Sequence, residues 1–235
     1  MIDGQLNQSE RSILVSYLLD SQKRPAVAIE VGTWLGGGST LHILQAFQKQ
    51  GSGHLWGIEA DRSIYDRMIA NIQTAMPEPN RFFTPLFGFS RDVIPKWIEQ
   101  KGPDLQIDFV FLDGGDNPME QVEEFHLLDK YIPVGGRLLS HDAHMRKGKW
   151  LVPYISALDN WKVKVHSVSE EGILTAIKTE KHASIQSNEH ARKVLAARQR
   201  EWIEVLGKML PRFVIHSAVV ILPKCLIRRL AEGRK

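Results

Sequence analysis

The sequence has a single cysteine, Cys225, among its 235 residues, so it cannot form an internal disulfide. No run reaches the roughly 18 consecutive apolar residues that a membrane-spanning helix requires. The first ten residues, MIDGQLNQSE, lack the basic and then apolar layout of a secretory signal peptide. No internal repeat or low-complexity segment is present. These absences lead us to expect a cytoplasmic, globular protein.

Charge is divided unevenly along the chain, although the net charge is only +3. Residues 1–180 carry 18 Lys and Arg against 23 Asp and Glu, a net charge of −5, whereas residues 181–235 carry 12 against 4, a net charge of +8. A change this sharp indicates two parts. We predict a folded domain over residues 1–180 and a basic helical extension over residues 181–235.

Apolar runs alternate with amphipathic segments up to about residue 160, the pattern of repeated strand–helix units. Strands are predicted at 26–31, 54–59, 81–86, 107–112 and 136–140. Helices are predicted from an N-cap at Ser9 to about residue 21, and at 39–50, 61–75, 90–101, 117–130 and 148–159. WKVKVHSV and GILTAIK then flank SEEG, which predicts an antiparallel hairpin. The pattern predicts a Rossmann-like, doubly wound α/β fold with a mostly parallel seven-stranded sheet.

A glycine-rich stretch, AIEVGTWLGGGST at residues 28–40, follows the first predicted strand. Trp34 stands where a GxGxxG dinucleotide-binding loop needs its second glycine, and no Lys-Ser/Thr pair follows, as a P-loop requires. Gly32, Gly36 and Gly38 fit the GxxxGxG spacing of short-chain dehydrogenases. Those enzymes share a Tyr-x-x-x-Lys motif, however, and none of the four tyrosines here has a lysine four residues later.

What remains is an E-x-G-x-x-x-G pattern with Glu30 at the end of the strand. A carboxylate suits a ligand with an ammonium group, and the helix that Ser39 and Thr40 open offers its N-terminus to a carboxylate. S-adenosylmethionine has both groups. This stretch resembles motif I of the class I S-adenosylmethionine-dependent methyltransferases. Glu59 ends the second predicted strand, where an acid can accept both ribose hydroxyls.

Residues 88–113, GFSRDVIPKWIEQKGPDLQIDFVFLD, make this resemblance more specific. They are similar to catechol O-methyltransferase and, more loosely, to caffeoyl-CoA O-methyltransferase and the cation-dependent sugar O-methyltransferases. The resemblance covers roughly residues 25–145 and implies that Ser90 and Arg91 lie against adenine. It implies a cofactor site formed by Glu30, Gly32, Thr33, Trp34, Gly36, Ser39, Glu59, Ala60, Ser90, Arg91 and Asp113.

The same resemblance implies a metal site after the fourth and fifth strands. Its first aspartate corresponds to Asp113, and its Asp-Asn pair corresponds to His141 and Asp142, in LLSHDAH. We therefore predict that these three residues bind a divalent cation that activates the acceptor hydroxyl. The imidazole would favour Mn, Fe or Zn over Mg. Structural roles are the alternative, with His141 bonded to strand-end backbone and Asp142 capping the next turn.

The catalytic lysine of the catechol enzymes has no counterpart, because Asp116 stands at its position in LDGGDNP. Asp116 is a candidate N-cap for the next helix, a further ligand or a substrate contact. Without a metal, His141 or His144 becomes the predicted general base, because a histidine titrates near neutral pH. Trp34, Met145 and Trp150 are weaker candidates for the wall of an apolar acceptor pocket.

The extension after residue 180 contains a predicted polar helix over 183–210 and then RFVIHSAVVILPKCLIRRL, residues 212–230. This second segment is apolar, too short to span a bilayer, and basic at both ends. We expect it to pack on the folded domain or on a second subunit, and to help form a homodimer. Peripheral contact with an anionic membrane is the alternative. No nucleic-acid recognition motif accompanies the basic residues.

Together these patterns predict an S-adenosylmethionine-dependent methyltransferase. We expect O-methylation of a hydroxyl on a small aromatic or glycosylated metabolite. An N- or carboxyl-methyltransferase that needs no metal is one alternative. A non-catalytic S-adenosylmethionine-binding partner protein is another.

Overall fold

The computed structural model describes residues 2–20 and 25–209, with side chains described up to residue 201. The strands are β1 (Val27–Val31), β2 (His54–Glu59), β3 (Phe83–Phe87), β4 (Phe109–Leu112), β5 (Arg137–His141), β6 (Trp161–His166) and β7 (Ile173–Lys178). The helices are α1 (Gln8–Leu19), α2 (Thr40–Gln50), α3 (Arg62–Ala75), α4 (Ser90–Lys101), α5 (Pro118–Leu128), α6 (Gly148–Ser156) and α7 (Ile185–Met209). Short 3-10 helices lie at Pro79–Arg81 and Asp129–Tyr131.

The seven strands form one sheet in the order β3-β2-β1-β4-β5-β7-β6. The first five strands in this order are parallel, and β7 runs antiparallel to both β5 and β6. This arrangement confirms the predicted fold. Strand order reverses between β1 and β4, and in such sheets a ligand binds beyond the carboxyl ends of the strands at that point.

Helices cover both faces of the sheet because alternate strand residues point to opposite sides. Ile29, Val110 and Leu138 belong to the apolar cluster that the α4, α5 and α6 side chains complete. Phe109 and Leu139, one residue away in their strands, belong to a second cluster with side chains of α1, α2 and α3. With both faces covered, the strand ends form the exposed edge at which polar side chains can gather.

The N-cap of the first helix lies two residues earlier than the sequence analysis predicted. Its N-cap is Asn7, not Ser9: Asn7 Oδ1 accepts from Glu10 N at 3.0 Å, and Glu10 Oε2 accepts from Asn7 N at 2.9 Å. The two bonds form a capping box, in which two otherwise unpaired donors are satisfied reciprocally. Ser9 lies inside the helix.

Other predicted boundaries differ by a few residues. Asn117 caps α5 by accepting from Met119 N at 3.0 Å, so Asp116 is not the cap. A 3-10 helix occupies 79–81, and β3 therefore begins at Phe83. Helix α6 ends at Ser156 rather than at 159.

Helix α7 confirms the predicted polar helix of the extension. Within the described ranges, no helix combines the length and apolar character needed to cross a membrane. The segment 212–230, with its predicted roles in a homodimer or at a membrane surface, lies outside the described residues. Those roles stay predictions.

Candidate active site

The loop after β1 passes close to the end of β4. Gly32 has a φ of 86°, a conformation that glycine adopts without strain. Its N–H donates to Ile58 O at 3.0 Å, and a Cβ added to it would lie 2.6 Å from the carbonyl oxygen of Asp113. The position therefore requires glycine on two counts. Trp34, at a φ of 44°, continues the tight turn.

Glu30 is fully buried beneath this loop and does not line the cavity described below. Its two carboxylate oxygens accept from the hydroxyls of Ser39 and of Thr40, the latter at 2.8 Å. Burial is the main reason that the pKa of Glu30 rises from 4.5 to about 8, although both hydroxyl bonds lower it. In this structure the side chain fastens the end of β1 to the start of α2.

Glu59 holds the same loop from the end of β2. Its Oε2 accepts from Trp34 N at 2.9 Å, and its Oε1 accepts from Ala60 N at 2.9 Å and Asp61 N at 3.0 Å. A carboxylate has about four lone-pair sites. The three backbone bonds leave room for a further donor on a carboxylate that faces the cavity.

A cavity of about 710 Å³ opens along the carboxyl ends of β1 to β4. That volume is in the range of sites for small ligands and cofactors. Seven predicted cofactor residues line it: Gly32, Trp34, Glu59, Ala60, Ser90, Arg91 and Asp113. Side chains of α5 and Lys147 complete the lining.

One wall of the cavity joins α4 to α5 through a hydrogen bond. Ser90 Oγ donates to Glu124 Oε1 at 2.6 Å. Glu124 is only 3% exposed, and its Oε2 has no hydrogen-bond partner among the described residues. Burial raises the pKa of this carboxyl to about 7 against the opposing effect of the Ser90 bond.

Charged side chains form a chain of contacts behind the ends of β4 and β5. Lys147 Nζ lies 3.0 Å from Asp113 Oδ1 and 2.7 Å from Asp142 Oδ2. His141 Nδ1 lies 3.3 Å from Asp113 Oδ1, and its Nε2 lies 3.3 Å from Glu10 Oε1. Asp113 therefore bridges a lysine that faces the cavity and a histidine that is buried behind it.

The carboxylates of this cluster favour the charged forms of the two bases. Burial lowers the pKa of His141, but the hydrogen bond to Asp113 and the negative charges of Asp113, Asp142 and Glu10 outweigh it, so the pKa is about 9. Burial likewise lowers the pKa of Lys147, and the two aspartates raise it above its usual value. Both bases are therefore held as cations at neutral pH.

The three predicted metal ligands converge. One ligand atom each from Asp113, His141 and Asp142 lies within 4.8 Å of the others. Two carboxylates and an imidazole are a ligand set that a divalent cation accepts. The ammonium of Lys147 contacts both carboxylates, so a bound ion would share or take its place.

Several predicted residues lie outside the cavity lining. Thr33 and Ser39 are buried in the loop, and Gly36 packs against Ile72 and Met68. His144 is exposed, with its Nε2 2.9 Å from Ser167 Oγ in the hairpin, a placement that offers no support for a role as general base.

Of the three weaker candidates for the wall of an acceptor pocket, one lines the cavity and two do not. Trp34 lines the cavity. Trp150 is 8% exposed within the core, and Met145 is 46% exposed; neither lines the cavity.

Three residues of the site were missed by sequence reasoning: Glu10, Glu124 and Lys147. The Asn-x-x-Glu spacing at residues 7–10 is a capping-box pattern and could have identified Glu10 as a helix-start residue. Nothing in the sequence indicates that its other oxygen reaches His141. Lys147 lies in a turn between β5 and α6, and Glu124 lies within a helix that carries other acids, so neither stands out.

Comparison with known proteins finds similarity to methyltransferases in part of the sequence and in the fold. Residues 29–143, just under half of the chain, match a family model described as a methyltransferase domain. No curated protein matches the chain in sequence.

Solved structures share the fold at low identity. An O-methyltransferase from Bacillus cereus in complex with SAH has a TM-score of 0.59 and 18% identity, over 74% of this chain and 83% of the other. An SAH-bound methyltransferase from Podospora anserina has a TM-score of 0.57 and 12% identity, over 75% and 80%. An RNA methyltransferase from Salinibacter ruber, also with S-adenosylhomocysteine, has a TM-score of 0.50 and 14% identity, over 77% and 97%.

Residues 29–143 are similar to a methyltransferase domain, and the solved structures share the fold of the chain. The fold is shared with O-methyltransferases, including caffeoyl-CoA O-methyltransferase-like proteins, and also with RNA methyltransferases. The fold therefore does not identify the methyl acceptor, which has to be inferred from the residues of the site.

Proposed function

We propose that this protein is an S-adenosylmethionine-dependent methyltransferase that acts on a hydroxyl group of a small metabolite, with the Asp113–Lys147 pair at the reacting end of the cavity. The observation that carries the proposal is the ammonium of Lys147, which lines the cavity and contacts both Asp113 and Asp142. A hydroxyl must lose its proton to accept a methyl group. A fixed positive charge beside it lowers the hydroxyl's pKa and stabilises the oxyanion.

The cavity suits S-adenosylmethionine on several counts. Gly32 leaves the backbone bare at the β1 turn, Glu59 keeps an acceptor site for a ribose hydroxyl, and the unpaired oxygen of Glu124 offers a further acceptor. When bound, the cofactor supplies a methyl group on a positively charged sulfur. The loop residues and Glu59 orient it, while Asp113 separates that region from the buried His141.

At the reacting end, Lys147 would hold the acceptor oxygen. A carboxylate of the Asp113–Asp142 pair would take the proton as the methyl group arrives, since both lie beside the ammonium. His141 would act as a positioning residue for Asp113, because its own contact with Glu10 fixes the ring from behind. No metal is needed for this arrangement.

A divalent cation held by Asp113, His141 and Asp142 is the second proposal for the same end. The convergence of the three donors favours it. When bound, the ion would polarise the acceptor hydroxyl as a Lewis acid, and Lys147 would move from the carboxylates.

Turnover on a panel of hydroxylated aromatic and glycosylated acceptors tests the function, with S-adenosylhomocysteine formation as the readout. We expect Glu59→Gln to weaken binding of S-adenosylhomocysteine by about tenfold or more, the loss of one hydrogen bond to a charged acceptor. Glu99→Gln, on the exposed face of α4, is the matched control. Cofactor binding that Glu59→Gln leaves unchanged would contradict the site.

Chelation distinguishes the two proposals for the reacting end. Full activity after treatment with EDTA supports Lys147 as the cation of the site. Activity that is lost on chelation and restored by Mn²⁺, with S-adenosylhomocysteine binding retained throughout, supports the metal. Turnover of a peptide amine or carboxylate, with none of the hydroxylated acceptors, would instead support an N- or carboxyl-methyltransferase.

A further inference from the structure

We propose that Glu124 recognises the adenine ring of S-adenosylmethionine by accepting a hydrogen bond from its 6-amino group. The inference rests on the proposed function, because it concerns how the same cavity selects its nucleoside. It assigns a specificity role to a helix residue that lies outside the glycine loop and the strand-end acids.

The first support is the unequal state of the two carboxylate oxygens. Oε1 accepts from Ser90 Oγ at 2.6 Å, which fixes the orientation of the carboxyl group. Oε2 is buried and has no hydrogen-bond partner among the described residues, although Glu124 lines the cavity. A buried acceptor without a donor destabilises the free protein. A ligand that brings an N–H to Oε2 would recover that cost.

The second support is the position of the residue along the sheet edge. The strands β1, β2 and β3 are neighbours in the sheet. The glycine loop follows β1, Glu59 ends β2 and Ser90 follows β3, so these features lie in that order along one edge. A nucleoside whose ribose lies at Glu59 therefore extends its base towards the end of β3, where Ser90 starts α4. Ser90 Oγ donates to Glu124 Oε1, so we place the Glu124 carboxyl and its unpaired Oε2 at the end of the cavity that binds the base.

The third support is the chemistry of two neighbouring side chains, Arg91 and Glu123. Arg91 has only N–H donors, and its guanidinium lies 5.1 Å from the ring centre of Phe89. Glu123 lines the cavity too, but it is exposed and its charge is solvated. Adenine presents at C6 an amino group that can donate to a carboxyl oxygen, whereas hypoxanthine presents an oxygen that has no hydrogen to donate. Glu124 would therefore favour a 6-aminopurine over a 6-oxopurine.

The test compares S-adenosylhomocysteine with S-inosylhomocysteine, its 6-oxo analogue, which differs in the group at C6 and in the proton that it carries on N1. Isothermal titration gives the ratio of their Kd values. For the wild type we expect at least about tenfold tighter binding of the adenine compound, the range for one hydrogen bond to a charged group. For Glu124→Gln we expect this ratio to fall at least about fivefold, because the amide can donate to the 6-oxo group.

Two further variants separate recognition from folding. Glu99→Gln removes one negative charge from the exposed face of α4, outside the cavity lining, and should leave the ratio unchanged. Ser90→Ala frees the carboxyl group to rotate and should lower the ratio without any change at Glu124 itself. Circular dichroism melts accompany each measurement.

The outcomes are distinct. A wild type that binds both compounds equally overturns the inference without recourse to any variant. Wild-type discrimination that persists in both Glu124→Gln and Ser90→Ala overturns it as well. A wild type that binds neither compound refutes the proposed cofactor site as a whole, and the inference falls with it.

Discussion

Neutralising the buried carboxyl of Glu30 should make the protein less sensitive to alkaline pH. In the folded state burial raises the pKa of Glu30 from its ordinary 4.5 to about 8. Below pH 4.5 both folded and unfolded chains hold the proton. Between pH 4.5 and 8 only the folded chain holds it, so the free energy of unfolding falls as the pH rises, and the loss is complete above the folded pKa.

The size of the effect follows from the two pKa values. Each pH unit inside the window costs up to about 1.4 kcal/mol, and the loss from pH 5 to pH 8 amounts to about 3.5 kcal/mol. Glu30→Gln keeps the shape of the side chain and an acceptor for Ser39, but it cannot ionise. We therefore expect the stability of the wild type, relative to the variant, to fall by about 3.5 kcal/mol over this range.

Urea unfolding at pH 5, 6, 7 and 8, followed by tryptophan fluorescence, measures both proteins. The difference in unfolding free energy between the two proteins removes the contribution of every titrating group that the substitution does not affect. Glu99→Gln, on an exposed helix face, controls for the loss of one negative charge. A difference between wild type and Glu30→Gln that stays constant to within about 1 kcal/mol from pH 5 to pH 8 would refute the reasoning.

Three further substitutions test contacts around the site. Gly32→Ala would force a Cβ to 2.6 Å from Asp113 O at a positive φ, and should cost about 1–3 kcal/mol in urea unfolding and weaken S-adenosylhomocysteine binding. Asn7→Ala should cost about 1 kcal/mol of unfolding free energy by removing the cap of α1, whereas Asn7→Ser should retain most of it. Lys147→Met should lower turnover at least about tenfold with little change in the Kd for S-adenosylhomocysteine, because the ammonium serves the reacting end alone.

Each of these has a contrary result. Gly32→Ala with wild-type melting and ligand affinity would show that the β1 turn tolerates a side chain. Equal stability of Asn7→Ala and Asn7→Ser would mean that the cap contributes nothing. Lys147→Met with full turnover would exclude the ammonium from the reaction.

The sheet and its ligand edge were predictable from sequence because both depend on local patterns. Strand composition, helical periodicity and turn residues can each be recognised within a short segment of sequence. Parallel strands then bring their carboxyl ends to one edge of the sheet, however far apart those segments lie in the chain. The resemblance implied that Asp113, His141 and Asp142 share a site, this rule places them at neighbouring strand ends, and the structure brings one ligand atom of each within 4.8 Å of the others.

The parts that were not predicted depend on which way a side chain points. Glu30 was expected to face a ligand, but the hydroxyls of Ser39 and Thr40 occupy its oxygens from within the core. The position that corresponds to the catalytic lysine of the catechol enzymes holds Asp116. Lys147, which lies 34 residues after Asp113, instead places an ammonium beside Asp113, because its turn folds back onto the end of β4. Contacts of this kind depend on tertiary packing, and no periodic pattern in the sequence indicates them.

The contact between Glu10 and His141 joins residues 131 positions apart, and Glu10 also accepts from Ser169 Oγ, 159 positions away, at 2.5 Å. During synthesis α1 leaves the ribosome first, yet Glu10 cannot make these two contacts until β5 and then the hairpin have been translated. At about 5–20 residues per second the helix waits roughly 7–26 s for His141 alone. The reacting end is therefore completed late in biosynthesis, and a nascent chain stalled before residue 141 would hold the glycine loop without the histidine that orders Asp113.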